Sequence, residues 1–298
     1  MDASLGALLW RIAGQWQWRP EVLLPVGLAA GLYLRGARRL RRAHPARSVA
    51  ARWRVACYLG GAGAIVVALC SPLELLAELS FSAHMIQHQL LLMVAPPLLL
   101  LGEPFPSLTW GLPPRLRPIV GAVLARPGPV RSALRWLTWM PVAGGLYTLV
   151  LWGWHYPRFY EAALGRPPLH DLEHLTFFAA AILFWWPIVN PAPRLRRLGT
   201  GMLYGVRIGY LILATAQNTL LGAVLGLAER VLYPSYAAAP RLLEGWSPVD
   251  DQAFGGGVMW SGSHMFLIGV LVLLHRALDT ERPGPVGQNE DARPPAVV

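Results

Sequence analysis

The chain has 298 residues, of which 54% are hydrophobic and only 14% charged, with a net charge of +10. Apolar runs such as LLPVGLAAGLYL and AAAILFWWPIV are too long for ordinary core helices, so a water-soluble globular domain is excluded. All 26 basic residues are arginine, and 19 of them fall in connections or a tail between apolar stretches; that is the pattern of membrane orientation, and it excludes a nucleic-acid groove.

The opening MDASLGALLWRIAG places an acid before any base and lacks a basic n-region, so a cleaved signal peptide is not expected. Seven apolar spans are predicted, at about 21–36, 53–71, 81–101, 138–155, 170–189, 200–225 and 255–275. Helices are the default, because lipid offers open strand edges no partners. The expected fold is an all-α polytopic membrane protein with seven transmembrane helices, one integral domain over 1–280 and a disordered tail over 281–298.

The first span is the weakest, since Glu21 and Arg35 leave it short. The connection 35–54 holds eight arginines and no acid, whereas the opposite side of the bundle carries six arginines against eleven acids. That asymmetry predicts the N-terminus outside and the C-terminus in the cytoplasm. Cys57 and Cys70 lie in one span about 20 Å apart, too far for a disulfide. Segment 102–137 is rich in Pro, Gly and Arg, with a short interfacial helix expected around RLRPIVGAVLARP.

Histidines gather at the outer end of this topology. In the third span His84 and His88 are four residues apart, hence on one helix face, and the fifth span repeats the spacing with His170 and His174. His155 closes the fourth span. The seventh follows Asp250 and Asp251, with Met259 just inside it and His264 about 13 Å deeper. A single histidine at a helix mouth is more often an interfacial or hydrogen-bonded residue than a ligand. Two matched pairs at one depth point instead to a shared metal or cofactor, with a hydrogen-bonded polar core as the alternative.

Imidazole suits copper, zinc, iron and nickel, and a nearby thioether such as that of Met85 would tilt the choice to Cu(I). Met85 stands about 100° around the helix from His84, so a shared site does not follow from sequence. Glu173, beside His174, either accepts a proton from an imidazole N–H or is a solvated helix-start acid. Asp251 precedes AFGGGVMW; it ligates, orients a histidine or caps a helix, and the glycines permit a tight turn or a close helix approach. Asn218 in the sixth span is a candidate for the chamber lining. There is no glycine-rich phosphate loop, CxxC, nucleophile elbow or HExxH, which argues against the common soluble enzymes.

Three stretches, HMIQHQLLLMVAPPLLLLGEP (84–104), WHYPRFYEAALGRPPLHDLEHLTFFAAAILFWWPI (154–188) and DQAFGGGVMW (251–260), resemble signatures of the CtaG family of membrane proteins. These are assembly factors associated with caa-type cytochrome c oxidases. The resemblance implies a non-enzymatic role in maturing a copper-containing oxidase at the bacterial inner membrane. It further implies handling of Cu(I), an oxidase subunit as partner and an extracytoplasmic copper donor. His84, His88, His170, His174 and Asp251 match polar positions of the signatures, and Met85 and Met259 match methionines. His155 and His264 complete the candidate metal set on position alone. Neither cysteine fits the cysteine-based site of the soluble copper chaperones that share the family's name. A copper transporter, a haem-binding electron carrier and a metal-free scaffold are the competing readings.

Overall fold

The computed structural model describes residues 14–44, 51–192, 202–242 and 245–281; the tail expected to be disordered lies outside them except for Glu281. Every regular element among the described residues is helical. The chain begins with α1 (Pro20–Ala43), α2 (Arg52–Cys70) and α3 (Pro72–Leu79). Next comes α4 (Phe81–Leu101), followed by the short helices α5 (Pro104–Gly111), α6 (Arg117–Ala125) and α7 (Pro129–Leu137). Then follow α8 (Met140–His155), α9 (Pro157–Leu164), α10 (Pro167–Val189), α11 (Met202–Gly226), α12 (Pro234–Ala238), α13 (Pro248–Gly262) and α14 (His264–Glu281).

Five of these are long and apolar enough to cross a membrane: α2, α4, α10, α11 over Tyr204–Gly226, and the Pro248–Leu273 stretch formed by α13 and the start of α14. Two predicted spans are present as helices but fall short of that standard. α8 has 16 residues, fewer than the roughly 20 a span needs. α1 runs past the predicted end at 36 to Ala43, carrying Arg35, Arg38, Arg39, Arg41 and Arg42 on its last turns; its internal proline, Pro25, lies near the start, and none follows it within the helix. The predicted seventh span is broken at Ser263, and segment 102–137 is three short helices, one of them where the sequence suggested it. Outward leucines such as Leu149 and Leu213, each 69% exposed, give the bundle an apolar exterior suited to lipid.

Inside, α4 is the central strut. Its middle, Leu90–Val94, widens into a π-turn in which Ala95 N–H reaches back to Leu90 O. Pro96 has no N–H to offer the carbonyl one turn earlier. The indole N–H of Trp185 fills that gap, donating to Leu92 O at 3.1 Å. Trp185, Phe184, Phe266 and Tyr147 pack around this point as one aromatic core.

Glycines bring α13 against its neighbours. A Cβ on Gly256 would lie 2.4 Å from Gly226 N on α11, and one on Gly255 would lie 2.4 Å from the Phe81 ring, so only hydrogen fits at either place. The same approach puts Asp251 over the start of α4. Its carboxylate accepts from Ser80 Oγ (2.8 Å), Phe81 N (2.7 Å), Ser82 N (3.3 Å) and Ser82 Oγ (2.6 Å). An acid on one helix thus caps the N-terminus of another, satisfying donors that would otherwise be orphaned.

Candidate metal centre

With α4 fixed by that cap, His84 and His88 face α10, and the two predicted pairs converge. Ring centroids lie 4.3 Å apart for His84–His88 and 4.2 Å for His170–His174; across the helices they are 5.1 Å for His84–His170 and 5.4 Å for His88–His174. His84 Nε2 and His170 Nε2 stand 3.4 Å apart. One nitrogen each from His84, His88 and His174 fall within 4.8 Å of one another, as do ligand atoms of His84, His170 and Glu173. The rings interleave into a single cluster.

The cluster is dry and under-bonded. His84 and His88 are 1% exposed, and Glu173 is fully buried. Both ring nitrogens of His88 and of His174, His155 Nε2 and both Glu173 oxygens have no hydrogen-bond partner among the described residues. Glu173 Oε1 approaches His88 Nε2 no closer than 3.8 Å. Native interiors leave very few buried polar atoms unsatisfied, so a concentration of them on three imidazoles and a carboxylate fits a cation as the missing partner. The donors are those that suit copper or zinc.

Hydrogen bonds around the rim decide which nitrogen each ring presents. Tyr236 O–H donates to Ala77 O at 3.1 Å, so its oxygen is left to accept from His84 Nδ1–H at 2.6 Å. A proton on Nδ1 leaves the His84 Nε2 lone pair aimed at His170. Tyr160 Oη lies 3.0 Å from both His84 Nδ1 and Tyr236 Oη and braces the pair. Burial pushes the phenols of Tyr160 and Tyr236 well above their ordinary value, keeping both neutral. His155 follows the same logic: its Nδ1 donates to Leu151 O at 2.7 Å, and its ring sits 5.9 Å from His88 with Nε2 free. Fixing the tautomer from the far nitrogen is how proteins ready an imidazole for a metal.

Other candidates take different places. Asp251 spends both oxygens on the α4 cap. Met85 and Met259 are buried in the apolar core that includes Phe81, Tyr160 and Tyr233. His264 is exposed at the start of α14, with Nδ1 donating to Ser261 O at 2.9 Å. Asn218 does not line the cluster; its amide donates to Met259 O and Ser263 Oγ, each at 3.0 Å, bracing the break between α13 and α14. Tyr160 and Tyr236, unmarked in the sequence, lie on short helices between spans, where no periodicity singles them out.

The fold and the cluster together define a polytopic α-helical membrane protein with a buried, metal-capable polyhistidine centre. The chain belongs to the family of cytochrome c oxidase caa3 assembly factors (Caa3_CtaG), which matches it over residues 31–279. It is 28% identical over 265 residues to an uncharacterised protein of Mycobacterium bovis and to one of Mycobacterium tuberculosis, covering 85% of this chain and 37% of each relative. An uncharacterised protein of Mycobacterium leprae is 26% identical over 277 residues, covering 86% of this chain and 38% of that one. The chain therefore spans under two-fifths of the length of these relatives. No solved structure gives a significant match.

Proposed function

We propose that this protein binds Cu(I) at the histidine centre and passes it to a subunit of a copper-containing cytochrome c oxidase during assembly. The observation that carries the reading is the convergence of four imidazoles from two helices, with both nitrogens of His88 and His174 lacking hydrogen-bond partners among the described residues. His84, His88 and His174 are the proposed ligands, with His170 and His155 at the two ends of the cluster and Glu173 balancing charge beside His88. Asp251 holds the centre indirectly, through the start of α4, and Met85 and Met259 pack behind it. Seven spans, with α1 and α8 as the first and fourth, follow from the arginine asymmetry, which sets the N-terminus outside and the C-terminus inside. The centre then lies toward the outer face of the bacterial inner membrane, accessible to an extracytoplasmic copper donor.

Several neutral imidazoles in place of a closed thiolate cage suit exchange over storage. Copper here is cargo, and the chain's own work is to desolvate it, hold it between α4 and α10, and release it to a docked partner. The test is metal analysis of purified protein loaded with Cu(I), beside a variant combining H84Q, H88Q, H170Q and H174Q with its folding checked by thermal melting. Loss of copper in the folded variant is expected, and copper content equal to wild type would sink the assignment. Retention of zinc in preference to copper in a competition arm would change the cargo.

A further inference from the structure

A cavity of about 570 Å³ reaches His170 from the surface at the histidine end of the bundle. Its walls carry Glu21, Glu74, Glu78 and Asp171, from the start of α1, from α3 and from α10. Carboxylates alone would be a solvated rim. Below these, however, His170 Nε2 lies 3.4 Å from His84 Nε2, and its ring centroid lies 4.2 Å from that of His174, a tilted ring 4% exposed whose nitrogens have no hydrogen-bond partner among the described residues. The acidic cavity therefore reaches His170, the ring of the cluster that lines it.

One cation already sits among them. Arg19 Nε donates to Glu21 at 2.8 Å, Nη1 donates to Glu74 at 3.2 Å, and Nη2 donates to Asp171. The arginine is held in extended backbone just before α1, in a segment pinned where Gln17 N–H donates to Cys70 O at 2.8 Å. Its guanidinium gathers three carboxylates from three segments. Two of those partners are half exposed, Glu21 at 57% and Asp171 at 49%, so water readily replaces the arginine there; Glu74 at 6% is the buried anchor.

Building on the copper reading above, we propose that this cavity is the entrance for the metal ion, and that Arg19 is a built-in competing cation that closes it. A guanidinium and a metal ion cannot share the same carboxylates without strong repulsion. Arg19 has to swing toward solvent before an ion reaches His170, and it swings back once the ion has moved on to His84, His88 and His174. The arginine acts on passage and does not ligate.

The test compares rates with content, using full-length protein in detergent and Cu(I) supplied from, or withdrawn by, a chromogenic chelator. R19Q should take up and release copper faster by about tenfold, the hold of one charge-assisted hydrogen bond, with unchanged copper per chain at saturation. Salt should speed exchange in wild type, where it loosens the ion pairs, and slow it in R19Q, where it screens the attraction of the carboxylates for the ion. Wild-type rates and wild-type salt response in an R19Q protein of full copper content would overturn the gate and leave the centre standing. Wild-type protein that binds no copper would overturn both. D171N removes one of the three arms and guards against a misfolded R19Q; smaller acceleration of the same sign is expected, and unchanged rates count against the gate.

Discussion

Replacing Tyr236 by Phe deletes the oxygen that accepts from His84 Nδ1 at 2.6 Å and that ties the ring to Ala77 O. If that oxygen selects Nε2 as the ligand atom, its loss should weaken copper binding without touching any proposed ligand. Tyr160 Oη, 3.0 Å from the same nitrogen, partly compensates. Losing one such supporting partner costs about tenfold in affinity, or about 1.4 kcal/mol, and Y160F/Y236F together should approach a hundredfold. A separate loss of about 1 kcal/mol in stability is expected from the hydrogen bond to Ala77. Competition titration against a Cu(I) chelator measures the first effect, and thermal melting of metal-free protein measures the second. A Y160F/Y236F protein that melts lower yet binds copper as tightly as wild type would refute the reasoning, because the tyrosines would then be packing alone.

Burial pushes the Glu74 carboxyl up to about 7, the nearby Arg19 charge and the Gln87 amide offsetting only part of the cost. The folded state therefore favours the neutral acid: its contribution is complete below about pH 4.5 and is lost as pH rises through about 7, by up to about 3 kcal/mol. E74Q should flatten the decline in melting temperature between about pH 5 and 8; parallel pH profiles for the two proteins would contradict this. G256A would set a methyl 2.4 Å from Gly226 N and 2.5 Å from its Cα, and neither backbone atom can turn aside. A loss of about 1–3 kcal/mol in stability is expected, and an unchanged melting temperature would mean the helices separate freely. H264A should bind copper with wild-type stoichiometry and affinity, because that exposed ring, among the described residues, bonds within its own segment; any loss of copper would bring His264 into the centre.

Spacing alone exposed the two histidine pairs, because four residues is one helical turn whatever the tertiary fold. Their mutual distance was also foreshadowed, through the cost of leaving four imidazoles in lipid. The burial of Glu173 was not legible. A residue beside His174 faces solvent or core according to how α10 is rotated in the bundle, and a one-residue neighbour carries no face information. Asp251 was conspicuous as an acid at a helix start, yet its target was the neighbouring helix, since the glycines beside it draw α13 onto α4 and α11. Tyr160 and Tyr236 left no trace, because phenols on short connecting helices look like ordinary interfacial aromatics. Arg19 read as one more basic residue in a sparsely charged margin; only the folding of α1, α3 and α10 around it gives it three partners.

The widened turn at Leu90–Val94 means that α4 carries one residue more than an unbroken α-helix of its length requires. The spare residue works as slack. Deleting one residue inside that turn would restore an ordinary helix while each half kept its present face, leaving His84 and His88 opposite α10. A deletion between His88 and the turn, or beyond it toward Leu101, has no such reserve: it rotates one half against the other by about 100°, turning either the histidine pair or the Gly102 end away from its neighbours. Length variation in this strut is thus tolerable in one place, five residues long, sited between the histidine-bearing end and the arginine-rich end.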